Sequence, residues 1–199
     1  MIQKLKQFLL KKNTRFNEIY DINKSLNNHI KSPKINLGRL QSNLNQSLSK
    51  VDDLVEIEFQ VFSQFGDDGI IQYLINTMPI INKTFIEFGV EDYTESNTRF
   101  LLINNSWSGL ILDGCEDNIK KIKTSQIYQF YDLRAIHSFI TRENINALLK
   151  QSKIRNEVGI LSIDIDGNDY WVWNEIKDIE PKIIVCEYNS LFGFEDPIT

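Results

Sequence analysis

From residue 83 to residue 189, short apolar runs alternate with stretches of helical periodicity, and no other feature constrains the fold as strongly. "KTFIEFGV" (83–90), "SGLILDG" (108–114), "IYQFYDL" (127–133), "VGILSIDID" (158–166) and "PKIIVCEYN" (181–189) read as five strands. Most carry the Val, Ile, Leu and Phe content of strands covered on both faces. Between them, "ESNTRFLLIN" (95–104), "EDNIKKIKT" (116–124), "TRENINALLKQ" (141–151, capped by Thr141) and "NDYWVWNEI" (168–176) have helical spacing. Strands separated by helices form βαβ units, so the expected architecture is α/β with a doubly wound, mostly parallel sheet. Upstream, "FSQFGDDGIIQYLINTM" (62–78) predicts a turn at Gly66 and a helix stopped by Pro79.

Each expected strand ends in polar residues: Glu87–Gly89, Asp113–Gly114, Asp132, Asp164–Asp166 and Glu187–Asn189. Any one of them serves equally well as a turn former or helix cap. Together they describe the rim of a nucleotide-like site, because ligands of open α/β sheets bind at the carboxyl ends of the strands. The first loop, "FIEFGVEDYTESN", holds one glycine instead of G-x-G-x-x-G, and its Glu91, Asp92 and Glu95 repel phosphate. The P-loop pattern is absent as well. Such a rim suits a ligand without phosphates that carries a cationic centre and hydroxyls, and S-adenosylmethionine (SAM) is one. Asp164, Asp166, Asn168 and Glu175 have the spacing of calcium-loop ligands, but the sixth position is Asp169 where glycine is needed, and a strand precedes. That argues against calcium.

Charge divides the chain. Ten of its 22 Lys+Arg but two of its 27 Asp+Glu fall in residues 1–50, a net of +8 against −13 for the remainder. The first 55 residues, rich in Asn, Ser and Gln, are expected to form a basic helical extension, and 56–199 the sheet domain. The extension is expected to pack on its own domain or a second subunit, with docking to a membrane or an acidic partner as the alternative. Nucleic acid is not expected, since the basic run lacks interleaved aromatics. No apolar run reaches bilayer-spanning length and no secretory signal is evident, so a cytoplasmic location is expected. Cys115 and Cys186 are isolated and read as reduced core thiols. Trp107, Trp171 and Trp173 could stack on a ring, but at least two are expected to be core.

"FSQFGDDGI", "FIEFGVEDYTESNT", "GLILDG", "LSIDIDGNDYWVW" and "IVCEYNSLFG" resemble FkbM-type SAM-dependent methyltransferases, over about residues 59–196. The resemblance implies a Rossmann-like class I methyltransferase fold. It implies that Glu87 and Gly89 belong to the first SAM motif, with Asn97 where the loop turns into the helix behind the methionine end. Asp113, with Gly114, matches the acid that accepts hydrogen bonds from the ribose hydroxyls. Gln64 and Asp67 match a motif covering the site, and Asp164 lies next to the transferring methyl group. The expected cofactor is therefore SAM, with a saccharide or other small polar acceptor such as a capsule precursor. Family members continue past the fifth strand, so the chain is expected to be incomplete at its C-terminus, with a fifth-strand edge open to homo-oligomerisation.

A hydroxyl acceptor loses a proton as it is methylated, so a carboxylate beside it can act as general base. Asp164 is the expected base, with Asp166 second and Glu187 facing the same pocket; Asp132 would join the cofactor rim. A strand-end Asp with Glu and Asn also offers hard oxygen ligands for Mg²⁺. His137 is expected to be structural. A SAM-binding protein without turnover and a nucleotide-dependent oxidoreductase are the competing readings.

Overall fold

The computed structural model describes residues 33–48, 50–152, 154 and 156–188. Helical residues 33–45 (α1) lead through a short turn at Leu54–Glu56 to α2 (Asp67–Thr77). There follow β1 (Thr84–Phe88), α3 (Arg99–Asn105), β2 (Ser108–Asp113), α4 (Glu116–Thr124), α5 (Gln126–Phe130) and β3 (Leu133–His137). The chain then forms α6 (Ile145–Ser152), β4 (Asn156–Ile163), α7 (Asp169–Glu175) and β5 (Ile179–Cys186). The five strands make one sheet in the order β3-β2-β1-β4-β5, and every pairing is parallel. This is a Rossmann-like doubly wound α/β fold.

Alternation along the strands explains why helices cover both faces. Phe85 of β1, Ile111 of β2 and Ile160 of β4 face one core, filled from α2, α3 and α4 by Ile71, Leu101, Ile119 and Ile122. Ile86 and Phe88, Leu110 and Leu112, Leu161 and Ile163 face the other, filled from α6 and α7 by Ile145, Leu149 and Val172. The central strand therefore has no solvent-facing side chain after Thr84. Truncating a fully buried Leu or Ile of this kind to Ala costs about 2–5 kcal/mol.

α1 packs at the edge of the first layer. Ser42 donates to Gln72 Oε1 at 3.1 Å, Asn45 donates to the Ile57 carbonyl at 2.8 Å, and Arg39 reaches Asn104. Ile35 joins Val61, Phe62 and Phe100 in a small third cluster. The part of the expected extension within the described residues thus rests on its own domain; residues 1–32 lie outside them.

Three expectations are corrected. "IYQFYDL" is not the third strand: its first residues form α5, whose N-cap Ser125 accepts a hydrogen bond from the Tyr128 amide, and the strand begins at Leu133. The helix expected from Thr141 starts at Ile145, because Asn144 Oδ1 accepts from the Thr141 amide and holds 141–144 as a turn. Both cysteines are exposed rather than core. Among the described residues, no helix is long and apolar enough to cross a membrane.

Candidate functional site

β1 and β4 are neighbours, but the chain leaves β1 towards β2 and leaves β4 towards β5. Their following loops diverge, and the crevice between them is where ligands of open α/β sheets bind. It forms a cleft of about 460 Å³, lined by the loops after β1, β2, β3, β4 and β5, with Gln64 added from the turn before α2.

The β1 loop is organised by a buried carboxylate. Glu87 accepts from the Ser96 hydroxyl at 2.6 Å, from the Asn97 and Thr98 amides at 2.9 and 3.3 Å, and from the Thr98 hydroxyl. Burial pushes its carboxyl pKa up, and these four donors oppose the rise. Asn97, held by that amide contact, donates its side chain to Ser162 on β4 at 3.2 Å. Glu91 and Tyr93 have positive φ, a conformation that costs a non-glycine residue about 1–2 kcal/mol. Tyr93 is 1% exposed and its hydroxyl meets Thr98, so core packing holds the strained loop. Gly89, with φ of 72°, passes against the Asp164 carbonyl where no Cβ fits.

A second buried carboxylate braces the loop from outside. Asp68 Oδ2 accepts from three successive amides, Val61, Phe62 and Ser63, at 2.7–2.8 Å. The Phe62 carbonyl in turn accepts from the Ser96 amide at 2.9 Å. This places Gln64 at the cleft and leaves Asp67 off it. Burial pushes the Asp68 carboxyl up, against those hydrogen bonds.

Asp113 closes β2 with both oxygens engaged. Oδ2 accepts from the Glu91 amide at 2.8 Å and Oδ1 from the Cys115 amide at 2.8 Å. It therefore ties the β1 loop to the start of α4 while lining the cleft. Oδ1 also accepts from the Asn118 side-chain amide at 3.4 Å, so it is Oδ2 that keeps a second lone pair for a ligand hydroxyl.

The end of β4 is the acidic wall. Asp169 Oδ1 and Oδ2 accept from the Ile165 and Gly167 amides at 2.9 and 3.0 Å, which curls 164–168 back over the start of α7. Asp166 and Gly167 take positive φ in that curl. Carboxylate oxygens of Asp164, Asp166 and Glu187 all lie within 4.8 Å of one another. Partial burial, then the charges of Glu187, Asp169, Asp166 and Glu87, push Asp164 up to about 6. Burial, then Asp169 and Asp166, also raise Glu187, which an Asp164 hydrogen bond opposes. This trio has hard oxygen donors that could hold a divalent cation, or one proton between Asp164 and Glu187.

Of the residues expected at the site, Gln64, Glu87, Gly89, Asn97, Asp113, Gly114, Asp164, Asp166 and Glu187 line this one cleft. Asp67 and Asp132 do not. Asp132 precedes β3, so it sits at the opposite edge of the sheet, where it accepts from the Ser108 hydroxyl at 2.7 Å. The position assigned to it belongs to Ser138, Phe139 and Ile140, which follow β3 and were not foreseen. Phe139 is 73% exposed there. His137 closes β3 and contacts the Gly114 carbonyl at 3.1 Å. Trp107 is core, but Trp171 and Trp173 are both 42% exposed on α7, contrary to the expectation that two would be buried. Asn189 lies outside the described residues.

The chain matches no protein-family model, no curated protein and no solved structure.

Proposed function

We propose that this protein is a SAM-dependent methyltransferase acting on a small polar acceptor. The observation that carries the reading is the charge of the cleft: among its lining residues are seven carboxylates and no lysine, arginine or histidine. A dinucleotide or nucleoside triphosphate would bring several phosphate charges into that field. A sulfonium cation bearing a nucleoside suits it, and Asp113 Oδ2 offers an acceptor for a ribose hydroxyl. Val90, Phe139 and Ile140 supply an apolar wall for a flat base.

Methyl transfer from a sulfonium needs an acceptor held about 3–3.5 Å from the methyl carbon. In this reading Asp164 takes the acceptor proton as the new bond to carbon forms and the carbon–sulfur bond breaks. Its raised pKa brings it nearer to the optimum for a base working near neutrality. A divalent cation at Asp164, Asp166 and Glu187 is a second reading, favoured by their mutual spacing; it would lower the pKa of a coordinated acceptor hydroxyl. A saccharide acceptor, such as a capsule or cell-envelope precursor, rests on the sequence resemblance alone.

Calorimetry with S-adenosylhomocysteine, NAD and ATP tests the reading. Micromolar binding of the first and none of the others is expected. Binding of NAD or ATP in preference would overturn it. Affinity without transfer to any hydroxyl acceptor would leave a SAM-binding protein instead.

A further inference from the structure

We propose that Gln64 meets the carboxylate of the ligand's amino-acid end, and that Asp68, which does not line the cleft, acts through it as a positioning residue. This rests on the SAM reading and concerns the one anionic group of that ligand. A cleft that suits a sulfonium opposes a carboxylate, since its lining holds seven carboxylates and no lysine, arginine or histidine. Such a group must be met by uncharged N–H donors, and the lining side chains with amide donors are Gln64, Asn97 and Asn168. Asn97 is turned towards Ser162 on β4. Asn168 follows Asp166 in the acidic wall, where a carboxylate is repelled. Gln64 is exposed, and its side chain has no hydrogen-bond partner among the described residues. Strand order agrees with the assignment. With the base against Phe139 after β3 and the ribose at Asp113 after β2, the sulfonium falls at β1 and β4, next to the amino-acid end. The Gln64 loop reaches that place, because the Phe62 carbonyl accepts from the Ser96 amide at 2.9 Å, beside Asn97.

Residues 59–66 form a closed loop. The Phe59 amide donates to the Gly66 carbonyl at 3.4 Å, and the Gly69 amide donates to the Phe59 carbonyl at 3.1 Å. A Cβ on Gly69 would lie 2.1 Å from the Ile57 carbonyl oxygen, so the chain entering the loop presses directly on the first turn of α2. Inside the loop, Asp68 Oδ2 gathers the Val61, Phe62 and Ser63 amides, and the Ser63 hydroxyl accepts from the Asp68 amide at 3.1 Å. Gln60 Nε2 donates to the Ser63 and Gln64 carbonyls at 2.9 and 2.7 Å. Asp68 itself is 1% exposed and reaches the cleft only through this framework. With the backbone of Gln64 fixed in advance, only its side-chain rotamer remains to be ordered when a ligand binds, which lowers the entropic cost of the contact.

Calorimetry of the full chain with S-adenosylhomocysteine and with 5′-methylthioadenosine, which keeps the nucleoside and sulfur but lacks the amino-acid end, tests it. Gln64→Ala should weaken S-adenosylhomocysteine about tenfold and leave methylthioadenosine within about twofold. Asp68→Ala should show the same selective loss, and Asp68→Asn, which keeps an acceptor for the loop amides, should restore most of the affinity. Gln64→Ala added to Asp68→Ala should cost nothing more, because it removes a side chain already out of place. If Asp68→Ala melts early, Gln60→Ala at its exposed position should still weaken S-adenosylhomocysteine several-fold and spare methylthioadenosine. Full S-adenosylhomocysteine affinity in Gln64→Ala, equal losses for the two ligands, or additive losses in the double variant would overturn the proposal. A parent protein that binds neither ligand would overturn the SAM reading and this inference with it. A parent that binds both keeps that reading whatever the variants do.

Discussion

Gly89 and Asp164 meet where β1 and β4 end: a Cβ on Gly89 would run into the Asp164 carbonyl oxygen. The same contact sets the spacing of the β1 loop and the acidic wall. Gly89→Ala must both adopt φ of 72° and push the two strand ends apart. A loss of about 2–4 kcal/mol is expected in urea denaturation, from left-handed strain plus overpacking. Ligand affinity should fall with it. Unchanged stability would mean that the strand ends are not in contact in solution.

Asp113→Asn keeps one acceptor oxygen but turns the other into a donor facing a backbone amide. Either the Glu91 or the Cys115 amide then loses its partner. The expected cost is about 1–3 kcal/mol of stability, with at least a tenfold loss of S-adenosylhomocysteine affinity. Calorimetry that shows full affinity would remove Asp113 from the ligand contacts.

Asp164 carries a pH signature with two opposite readouts. If it is the base of the proposed transfer, Asp164 works deprotonated, so turnover should fall as pH drops through about 6. For folding the direction reverses. The folded-state pKa lies above that of a free aspartate, so the folded form holds the extra proton in the interval between them. Stability from this group is present at low pH and is lost as pH rises from about 4 through about 6. Asp164→Asn should therefore abolish turnover while raising stability near pH 7 by on the order of 1 kcal/mol, after allowance for solvent screening. Thermal melts at pH 4 and pH 7 check it: the gain should vanish at the lower pH. If chelator silences the parent and Mg²⁺ restores it, the trio holds a cation.

Asp68 separates shape from charge. One oxygen accepts three amides and the Ser63 hydroxyl; the other is buried without a hydrogen-bond partner. Asp68→Ala strands those donors and should cost about 3–5 kcal/mol, several times an ordinary hydrogen bond. Asp68→Asn keeps an acceptor in place and sheds a buried charge, so it should cost far less. Equal losses in urea denaturation would contradict the assigned role of Oδ2.

Sequence pattern exposed β1, β2 and β4 because their apolar runs are covered on both faces, and the edge strand β5, which buries only Ile179 and Ile183, through its unbroken run Ile183–Val185. β3 was hidden. "LRAIH" buries only Leu133 and Ala135 fully, whereas the neighbouring "IYQFY" has stronger intrinsic strand character yet is helical under its Ser125 cap. That single shift placed Asp132 on the wrong edge and concealed Ser138–Ile140. Asp68 was likewise invisible beside Asp67, since adjacent helix-start acids differ only in which one turns inward. The exposed Trp171 and Trp173 show the same limit: Val172 between them takes the core-facing position of α7.

The strand order also dictates when the cleft can exist. β1 pairs with β2 after a short connection, but its other neighbour is β4, and next to that pairing Asn82 donates to the Glu157 carbonyl across 75 residues of chain. Closing so long a loop carries an entropic cost that local pairing does not. During synthesis the first three strands can therefore assemble before the acidic wall has emerged, leaving one side of the central strand briefly open. Pulse-labelled hydrogen exchange should find the β1–β2 amides protected ahead of those of β4, and ligand added early should not speed that first phase.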